Sequence, residues 1–176
     1  MAAFVILDRD GVINEDSPDY IKTPEEWQPI PGSLESIARL HLHGIPVFVA
    51  TNQAGIGRGI LNRSDLQEIH QKMMKAVRDA GGLITDIEFC PHHPNDDCTC
   101  RKPKPGLLQA LARHHNLDLA RGCYVGDSLK DLIAAEAAGC EGILVLTGNG
   151  QETLLQRPDY PRVFPDLAAF VDSILD

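Results

Sequence analysis

Short apolar runs alternate along the chain with longer segments in which apolar residues recur every three or four positions. The runs are Phe4 to Leu7, Val47 to Ala50, Ile84 to Cys90, Cys123 to Val125 and Ile143 to Leu146. Continuous apolar runs of this length are typical of strands buried on both faces of a parallel sheet. The pattern therefore predicts five buried parallel strands.

The segments between these runs have helical periodicity. One predicted helix covers Ser33 to His43 and ends at Gly44, a residue type that often stops a helix. Another begins with a capping box at Ser64 to Gln67 and keeps apolar spacings of three and four up to Val77. Further helices are predicted at Leu107 to His115, Leu129 to Ala138 and, after Asp166 as a cap, Leu167 to Leu175.

Strands that alternate with helices are typical of a doubly wound α/β fold, here with a parallel sheet. Ligands of such folds bind at the carboxyl ends of the strands, near the point where the strand order reverses. We expect one domain over residues 1–176, because a chain of 176 residues has room for one core. Two segments without periodicity, Val12 to Pro31 and Pro91 to Pro105, are the expected places for functional residues.

Composition excludes several classes of protein. Hydrophobic residues make up 43% of the chain and charged residues 23%, values that exclude a disordered or collagen-like protein. The net charge of −9 argues against nucleic-acid and anionic-membrane partners, which would repel the chain. The first apolar run is too short for a signal peptide or a membrane span, so we expect a cytoplasmic protein.

Acidic residues follow two of the predicted strands. Asp8 and Asp10 come directly after the first run, and Asp127 follows the run that ends at Val125. An isolated acidic pair before Gly11 is also compatible with simple turn chemistry. Three acids at one sheet edge, however, repel one another unless a hard cation binds them, and Mg²⁺ prefers carboxylates together with water and phosphate oxygens. The spacing therefore predicts a Mg²⁺ site.

Polar and basic residues that suit a phosphate group lie elsewhere in the chain. Thr51 and Asn52 end the second run and offer a hydroxyl and an amide. Arg101 and Lys102 precede a predicted helix and can balance the charge of a phosphate dianion. Each feature is weak by itself, and their combination predicts a phosphate site.

Together these motifs resemble the haloacid dehalogenase-like phosphatases. The match runs in order through Asp8 to Gly11, Thr51, Lys102 and Gly126 to Asp131. The resemblance implies that Asp8 forms an aspartyl-phosphate, and that Asp10 serves as general acid and then as general base. It also implies that Asp8, Asp127 and the backbone carbonyl of Asp10 bind Mg²⁺, while Thr51 and Lys102 hold the phosphoryl group.

A cysteine-rich segment predicts a second metal. Cys90, His92, Cys98 and Cys100 offer three thiolates and one imidazole within the loop 90–100, which matches a closed tetrahedral Zn²⁺ site. A closed site has no open position, so we expect a structural zinc that holds Arg101 and Lys102 in place. Cys123 and Cys140 stand apart in apolar surroundings and are expected to be buried thiols.

The zinc segment Cys90 to Gly106 resembles one branch of the same family, whose members act on heptose bisphosphates or on histidinol phosphate. The segments Asp8 to Asn14, Thr51 to Gly59 and Thr147 to Gly150 favour the heptose side. The resemblance implies a Mg²⁺-dependent phosphatase that removes the 7-phosphate of a heptose 1,7-bisphosphate in lipopolysaccharide precursor synthesis. A histidinol-phosphate phosphatase and a non-catalytic, zinc-stabilised interaction module are the alternatives.

The partner is thus expected to be a small phosphorylated sugar. The short distance in sequence between Asp10 and Thr51 leaves no room for a large cap domain, so the site should be open and the protein a monomer. Substrate contacts are expected from Asp16, Ser17, Asp19, Tyr20, Asn52, Gln53, Arg101 and Ser128.

Overall fold

Six parallel strands form one sheet in the computed structural model, which describes residues 1–176. The strands are β1 (Val5–Leu7), β2 (Val47–Asn52), β3 (Asp86–Cys90), β4 (Cys123–Gly126), β5 (Glu141–Val145) and β6 (Val163–Phe164). Their order across the sheet is β3-β2-β1-β4-β5-β6. The chain therefore moves outward from β1 in one direction, returns to β4 and then moves outward in the other.

Seven helices connect and cover the strands. They are α1 (Ser33–Leu42), α2 (Ala54–Gly57), α3 (Arg63–Asp79), α4 (Gly106–His115), α5 (Leu129–Ala138), α6 (Gly150–Gln156) and α7 (Leu167–Leu175). Two short 3₁₀ helices lie at Pro24–Glu26 and Leu119–Arg121. None of the helices combines the length and the hydropathy that a membrane crossing requires.

Alternate residues of the strands enter two hydrophobic cores, one on each face of the sheet. In β1, Val5 and Leu7 belong to the core covered by α1, α3 and α7. Ile6 belongs to the opposite core, which α4 and α5 cover. This alternation follows from the two-residue period of a strand and explains why β1 is apolar at every position.

The predicted doubly wound α/β fold is confirmed, with no large cap domain. All five predicted strands are present, and Cys123 and Cys140 are buried as expected. The sequence pattern did not reveal β6, because Val163–Phe164 is only two residues long and half-buried. It also missed α2 and α6, which are shorter than the window in which helical periodicity becomes visible.

The predicted start of α3 was wrong. The helix is capped by Asn62, whose side chain accepts a hydrogen bond from the Asp65 backbone N–H at 2.8 Å. Asp65 in return accepts the Asn62 backbone N–H at 2.8 Å. The capping box therefore begins two residues before Ser64, because asparagine and aspartate satisfy the free N–H groups of a first turn as well as serine and glutamine do.

The aperiodic segment 12–31 is anchored by its own apolar residues. Ile13, Ile21 and Trp27 are buried in the core beside α1 and α3. The hydroxyl of Ser33 donates a hydrogen bond to the carbonyl oxygen of Val12 at 2.7 Å. The segment thus returns from β1 to α1 across the carboxyl edge of the sheet, where it can contribute to a site.

Replacement of Asn62 by alanine removes the acceptor at the start of α3. We expect the free energy of unfolding to fall by about 1 kcal/mol, measured by urea denaturation followed by circular dichroism. Ser64→Ala is the matched control and should change the free energy by less than about 0.5 kcal/mol, since it removes no cap. Equal losses for the two variants would contradict the observed cap.

Candidate active site

Three carboxylates meet at the carboxyl edge of the sheet. Asp8 follows β1 and Asp127 follows the neighbouring strand β4, on the two sides of the point where the strand order reverses. Asp131 reaches the same place from the first turn of α5, and ligand oxygens of all three residues lie within 4.8 Å of one another. A cleft of about 640 Å³ opens over Asp8, Asp127 and Asp131.

Lys102 is the buried cation of this cluster. Its Nζ lies 2.7 Å from Oδ1 of Asp131 and 3.0 Å from Oδ1 of Asp8. It also donates a hydrogen bond to the hydroxyl oxygen of Tyr124 at 2.6 Å, and only 3% of the residue is exposed. Burial lowers the pKa of Lys102, but the charges of Asp131 and Asp8 outweigh burial and raise it. Lys102 therefore stays positively charged.

Asn52 positions Lys102 at the end of β2. The side-chain amide of Asn52 donates a hydrogen bond to the Lys102 carbonyl oxygen at 3.1 Å. Its side-chain oxygen accepts the Lys102 backbone N–H at 3.0 Å. Because both ends of the amide are used in this way, Asn52 joins the basic loop to the sheet.

The surroundings of Asp8 and Asp127 oppose their negative charge. Burial, followed by the charge of Asp131, raises the pKa of Asp8 well above its ordinary value. The same two causes raise the pKa of Asp127 to about 7. A cation placed between these carboxylates would restore both to the ionised form.

The donor atoms fit a magnesium ion. Asp8 uses Oδ1 for a hydrogen bond from the Arg9 backbone N–H and for the ion pair with Lys102, and no hydrogen bond of the site involves its Oδ2. Asp127 accepts on Oδ2, from Asn149, and none involves its Oδ1. Each carboxylate therefore keeps one oxygen for a hard cation, which is the ligand type that Mg²⁺ prefers.

Asp10 has a different environment from Asp8. Its Oδ1 accepts hydrogen bonds from Arg9 Nη2 at 2.7 Å, Arg9 Nε at 3.1 Å and Asn14 Nδ2 at 3.0 Å. Its Oδ2 accepts one from Gln53 Nε2 at 3.2 Å. Burial raises the pKa of Asp10, but the Arg9 charge and these hydrogen bonds outweigh burial and lower it.

Two glycines allow the loops after β1 and β5 to close around Asp127. A Cβ at Gly11 would lie 2.1 Å from Oδ2 of Asp127, and one at Gly148 would lie 2.2 Å from the same atom. Both glycines have positive φ angles, of 83° and 55°. The Thr147 hydroxyl joins the two loops through a hydrogen bond of 2.6 Å to the Gly11 carbonyl oxygen.

Most of the residues predicted from the sequence line the cleft. They are Asp8, Asp10, Asp16, Ser17, Tyr20, Asn52, Gln53, Arg101, Lys102, Asp127 and Ser128. Asp19 is exposed and lies outside the lining. Thr51 is buried and also lies outside the cleft lining, and its hydroxyl oxygen accepts a hydrogen bond from Gln53 Nε2 at 2.9 Å. The hydroxyl of Ser128 is also engaged, since it donates to Oδ2 of Asp131 at 2.9 Å.

Sequence reasoning missed several side chains of the site. Lys130 lines the cleft near Arg101, and burial followed by the Arg101 charge lowers its pKa. Asn149 holds Asp127 and contacts Oδ2 of Asp16 at 3.3 Å. Arg9 is fully buried beside Asp10. Two of these residues had a signal in the sequence: Arg9 lies between Asp8 and Asp10, and Asn149 lies in the segment Thr147 to Gly150. Lys130 had none in spacing or composition.

The cysteine loop forms a compact cluster beside the basic residues. The sulfur of Cys90 lies 3.8 Å from that of Cys98 and 3.4 Å from Nδ1 of His92. His92 Nδ1 lies 3.2 Å from the sulfur of Cys100. The edges of a tetrahedral zinc site are about 3.8 Å between sulfurs and about 3.5 Å between sulfur and nitrogen. The four residues therefore fit a zinc ion.

The cluster is attached to the body of the protein by close backbone contacts. A Cβ at Gly57, in α2, would lie 2.2 Å from the backbone nitrogen of His93. A Cβ at Gly106, at the start of α4, would lie 2.3 Å from the carbonyl oxygen of Thr99. These glycines let the cysteine loop pack against α2 and α4.

Comparison with known proteins agrees with this geometry. A family model described as HAD-hydrolase-like matches residues 99–170. The chain is 49% identical to the D-glycero-beta-D-manno-heptose-1,7-bisphosphate 7-phosphatases of Bordetella bronchiseptica, over 97% of both chains, and Pseudomonas aeruginosa, over 98% of both. The chain belongs to the D-glycero-beta-D-manno-heptose-1,7-bisphosphate 7-phosphatase family.

A solved structure of this heptose-bisphosphatase family shares the fold over nearly its whole length. The Bordetella bronchiseptica D,D-heptose 1,7-bisphosphate phosphatase, crystallised with magnesium and phosphate, superposes with a TM-score of 0.95. The match has 49% identity and covers 98% of this chain and 97% of that one. The haloacid dehalogenase-like resemblance and the heptose branch are thereby confirmed. Neither the histidinol-phosphate phosphatase nor the non-catalytic module is favoured by these comparisons.

Removal of one partner from the buried ion cluster should be costly. We expect Asp131→Ala to lower the free energy of unfolding by about 3–5 kcal/mol, because Lys102 then keeps a buried charge with one partner fewer. Tyr124→Phe is the control within the same network and should cost only about 1–2 kcal/mol, since it removes a hydroxyl and no charge. Thermal and urea unfolding measure both variants, and equal losses would show that the charge of Asp131 is not what stabilises Lys102.

Proposed function

We propose that the protein removes the 7-phosphate of D-glycero-β-D-manno-heptose 1,7-bisphosphate through an aspartyl-phosphate on Asp8, as one step in lipopolysaccharide precursor synthesis. The observation that carries this proposal is the position of Asp8. It lies beside the charged Lys102 and within 4.8 Å of Asp127, at the floor of the cleft. The names of the similar phosphatases supply the substrate class, including the β anomer.

In the first half of the reaction, a carboxylate oxygen of Asp8 attacks the phosphorus of the 7-phosphate. The bond between phosphorus and the C7 oxygen breaks, and Asp10 gives a proton to that oxygen as the sugar leaves. The negative charge of the bound phosphate would oppose the Arg9 charge and favour the protonated form of Asp10 that this step requires. Lys102 reduces the repulsion between the Asp8 carboxylate and the phosphate dianion, since its ammonium lies 3.0 Å from Asp8.

In the second half, water attacks the phosphorus of the aspartyl-phosphate. Asp10 accepts the proton of that water, and the bond from phosphorus to Asp8 breaks to give inorganic phosphate. Gln53 holds Oδ2 of Asp10 at 3.2 Å and itself donates to the Thr51 hydroxyl. Thr51 contacts Gln53 in the structure, and its proposed contact with the phosphoryl group remains a prediction.

Asp8, Asp127 and the backbone carbonyl of Asp10 would hold Mg²⁺. When bound there, the ion neutralises charge on the phosphate and on the two carboxylates, which makes the approach of one anion to another feasible. The presence of magnesium and phosphate together in the Bordetella bronchiseptica structure supports this proposal.

Arg101 and Lys130 are the residues proposed to contact the remainder of the substrate. Both line the cleft, and the Nη1 atom of Arg101 is buried without a hydrogen-bond partner in the protein. An unpartnered guanidinium nitrogen is suited to a phosphate oxygen. Asp16, Ser17 and Tyr20 line the adjacent part of the cleft and would face sugar hydroxyls.

Zinc is proposed as a structural ion of the loop 90–100, bound by the cysteine cluster described above. It would place Arg101 and Lys102, which follow Cys100 directly, at the cleft.

The expected cytoplasmic location and the monomeric state remain predictions.

The test is the release of phosphate by the purified chain from both heptose bisphosphate anomers and from histidinol phosphate. We expect Mg²⁺-dependent turnover with the highest kcat/KM for the β anomer and the lowest for histidinol phosphate. Asp8→Asn should abolish turnover, and Asp10→Asn should lower it by about 10²–10⁴-fold. Near-normal hydrolysis by Asp8→Asn would exclude Asp8 as the nucleophile, and preference for histidinol phosphate would exclude the proposed substrate.

The zinc proposal is tested by metal analysis of protein purified without chelator. We expect one zinc ion per chain, loss of zinc and activity in Cys98→Ser, and retention of both in Cys140→Ser, whose buried thiol lies outside the cluster. Treatment with a chelator should abolish activity until zinc and magnesium are both returned. A fully active protein that contains no zinc would refute the proposal.

A further inference from the structure

The buried pair of Arg9 and His70 has no part in the reaction as described so far. Arg9 follows β1 and is 0% exposed, and His70 lies on the inner face of α3. Arg9 Nη1 is 3.2 Å from Nε2 of His70. A guanidinium group has only donors, so Arg9 donates and His70 accepts. The imidazole must therefore be neutral, with its proton on Nδ1.

The environment of His70 agrees with a neutral ring. Burial, followed by the Arg9 charge, lowers its pKa to about 3. A protonated His70 would place two positive charges against each other in the core. His70 therefore stays neutral and accepts a hydrogen bond from Nη1 of Arg9.

The other two nitrogens of the Arg9 guanidinium group contact a single oxygen of Asp10. Nη2 and Nε both donate to Oδ1, and Asn14 Nδ2 donates to the same atom. Three donors leave Oδ1 no capacity to exchange a proton, since a donor already occupies each favourable direction around it. Oδ2 has only the Gln53 contact, and Asp10 lines the cleft.

We propose that Arg9, held by His70, is a positioning residue that saturates Oδ1 of Asp10 and so assigns proton transfer to Oδ2. The inference rests on the proposed function, because it concerns the step in which Asp10 protonates the leaving oxygen. Arg9 acts through Asp10 and touches neither the substrate nor the reacting phosphorus. The order of contacts is His70 to Arg9, Arg9 to Asp10, and Asp10 to the leaving group.

The dependence of the rate on the leaving group separates this role from simple structural support. A sugar alkoxide needs a proton as it departs, whereas para-nitrophenolate leaves readily without one. kcat/KM reports the steps up to departure of the leaving group, before water attacks the aspartyl-phosphate. Loss of Asp10 positioning should therefore lower kcat/KM for heptose bisphosphate and spare para-nitrophenyl phosphate.

The experiment compares kcat/KM for these two substrates in four variants of the full chain with Mg²⁺. We expect Arg9→Met to lose about 100-fold on heptose bisphosphate and less than about threefold on para-nitrophenyl phosphate. His70→Leu should lose about tenfold on the sugar alone, because Arg9 keeps its charge but loses an anchor. His70→Gln returns an acceptor and should recover most of that loss. Met73→Ala, on the same face of α3, is the control for general loss of packing and should affect both substrates equally.

Equal losses on the two substrates in the Arg9 and His70 variants would overturn the proposal, as would full activity of His70→Leu. If Arg9→Met does not fold, His70→Leu and His70→Gln decide the question, since neither removes a charge. If the wild-type chain does not act on heptose bisphosphate, the proposed function fails, and the same comparison with a simple alkyl phosphate still tests Arg9. If the wild-type chain hydrolyses neither alkyl phosphates nor para-nitrophenyl phosphate, the proposed function and the proposed role of Arg9 are both wrong.

Discussion

The balance of charge around Lys102 is the constraint on which the site depends. Asp8, Asp10, Asp127 and Asp131 bring four carboxylates to one sheet edge, and Lys102 and Arg9 are the buried cations that contact them. With all six groups ionised, the cluster keeps two uncompensated negative charges, which one divalent cation would balance. The raised pKa values of Asp8 and Asp127 have the same cause: without a bound cation, the excess negative charge opposes the ionisation of both carboxylates.

The fold holds this cluster by linking elements that are distant in sequence. The neighbouring strands β1 and β4 carry Asp8 and Asp127, while Asn52 at the end of β2 holds the backbone of Lys102 through two hydrogen bonds. The cysteine loop then packs against α2 at Gly57. A disturbance of that loop would shift Lys102 at the cleft, because Lys102 follows Cys100 by only two residues. Through this connection, the zinc ion proposed for the cysteine loop would fix the position of Lys102.

Much of the fold was predictable because strands buried on both faces are visible as apolar runs. The acids that follow strands, Asp8 and Asp127, were found for the same reason. The local signals that failed were of other kinds. Asn62 and Ser64 are both good cap residues, and only the backbone geometry shows which one starts α3. The pairing of Lys102 with Asp131 depends on contacts between distant segments, which no periodicity encodes.

Two aspartates separated by one residue acquire opposite properties from their partners. Asp8 is buried beside Asp131 and Asp127, so its pKa is raised, and it keeps Oδ2 for a cation. Asp10 is held by Arg9 and Asn14 on one oxygen, so its pKa is lowered and its other oxygen faces Gln53. Both residues lie beyond the end of β1 at Leu7, where the chain turns, and their side chains contact different neighbours. The pKa directions by themselves do not assign the proposed roles. A bound cation would return Asp8 to the ionised form that a nucleophile needs, and a bound phosphate dianion would favour the protonated form of Asp10. Of the two carboxylates, the side chain of the intervening Arg9 hydrogen-bonds only that of Asp10, and so distinguishes them before any ligand binds.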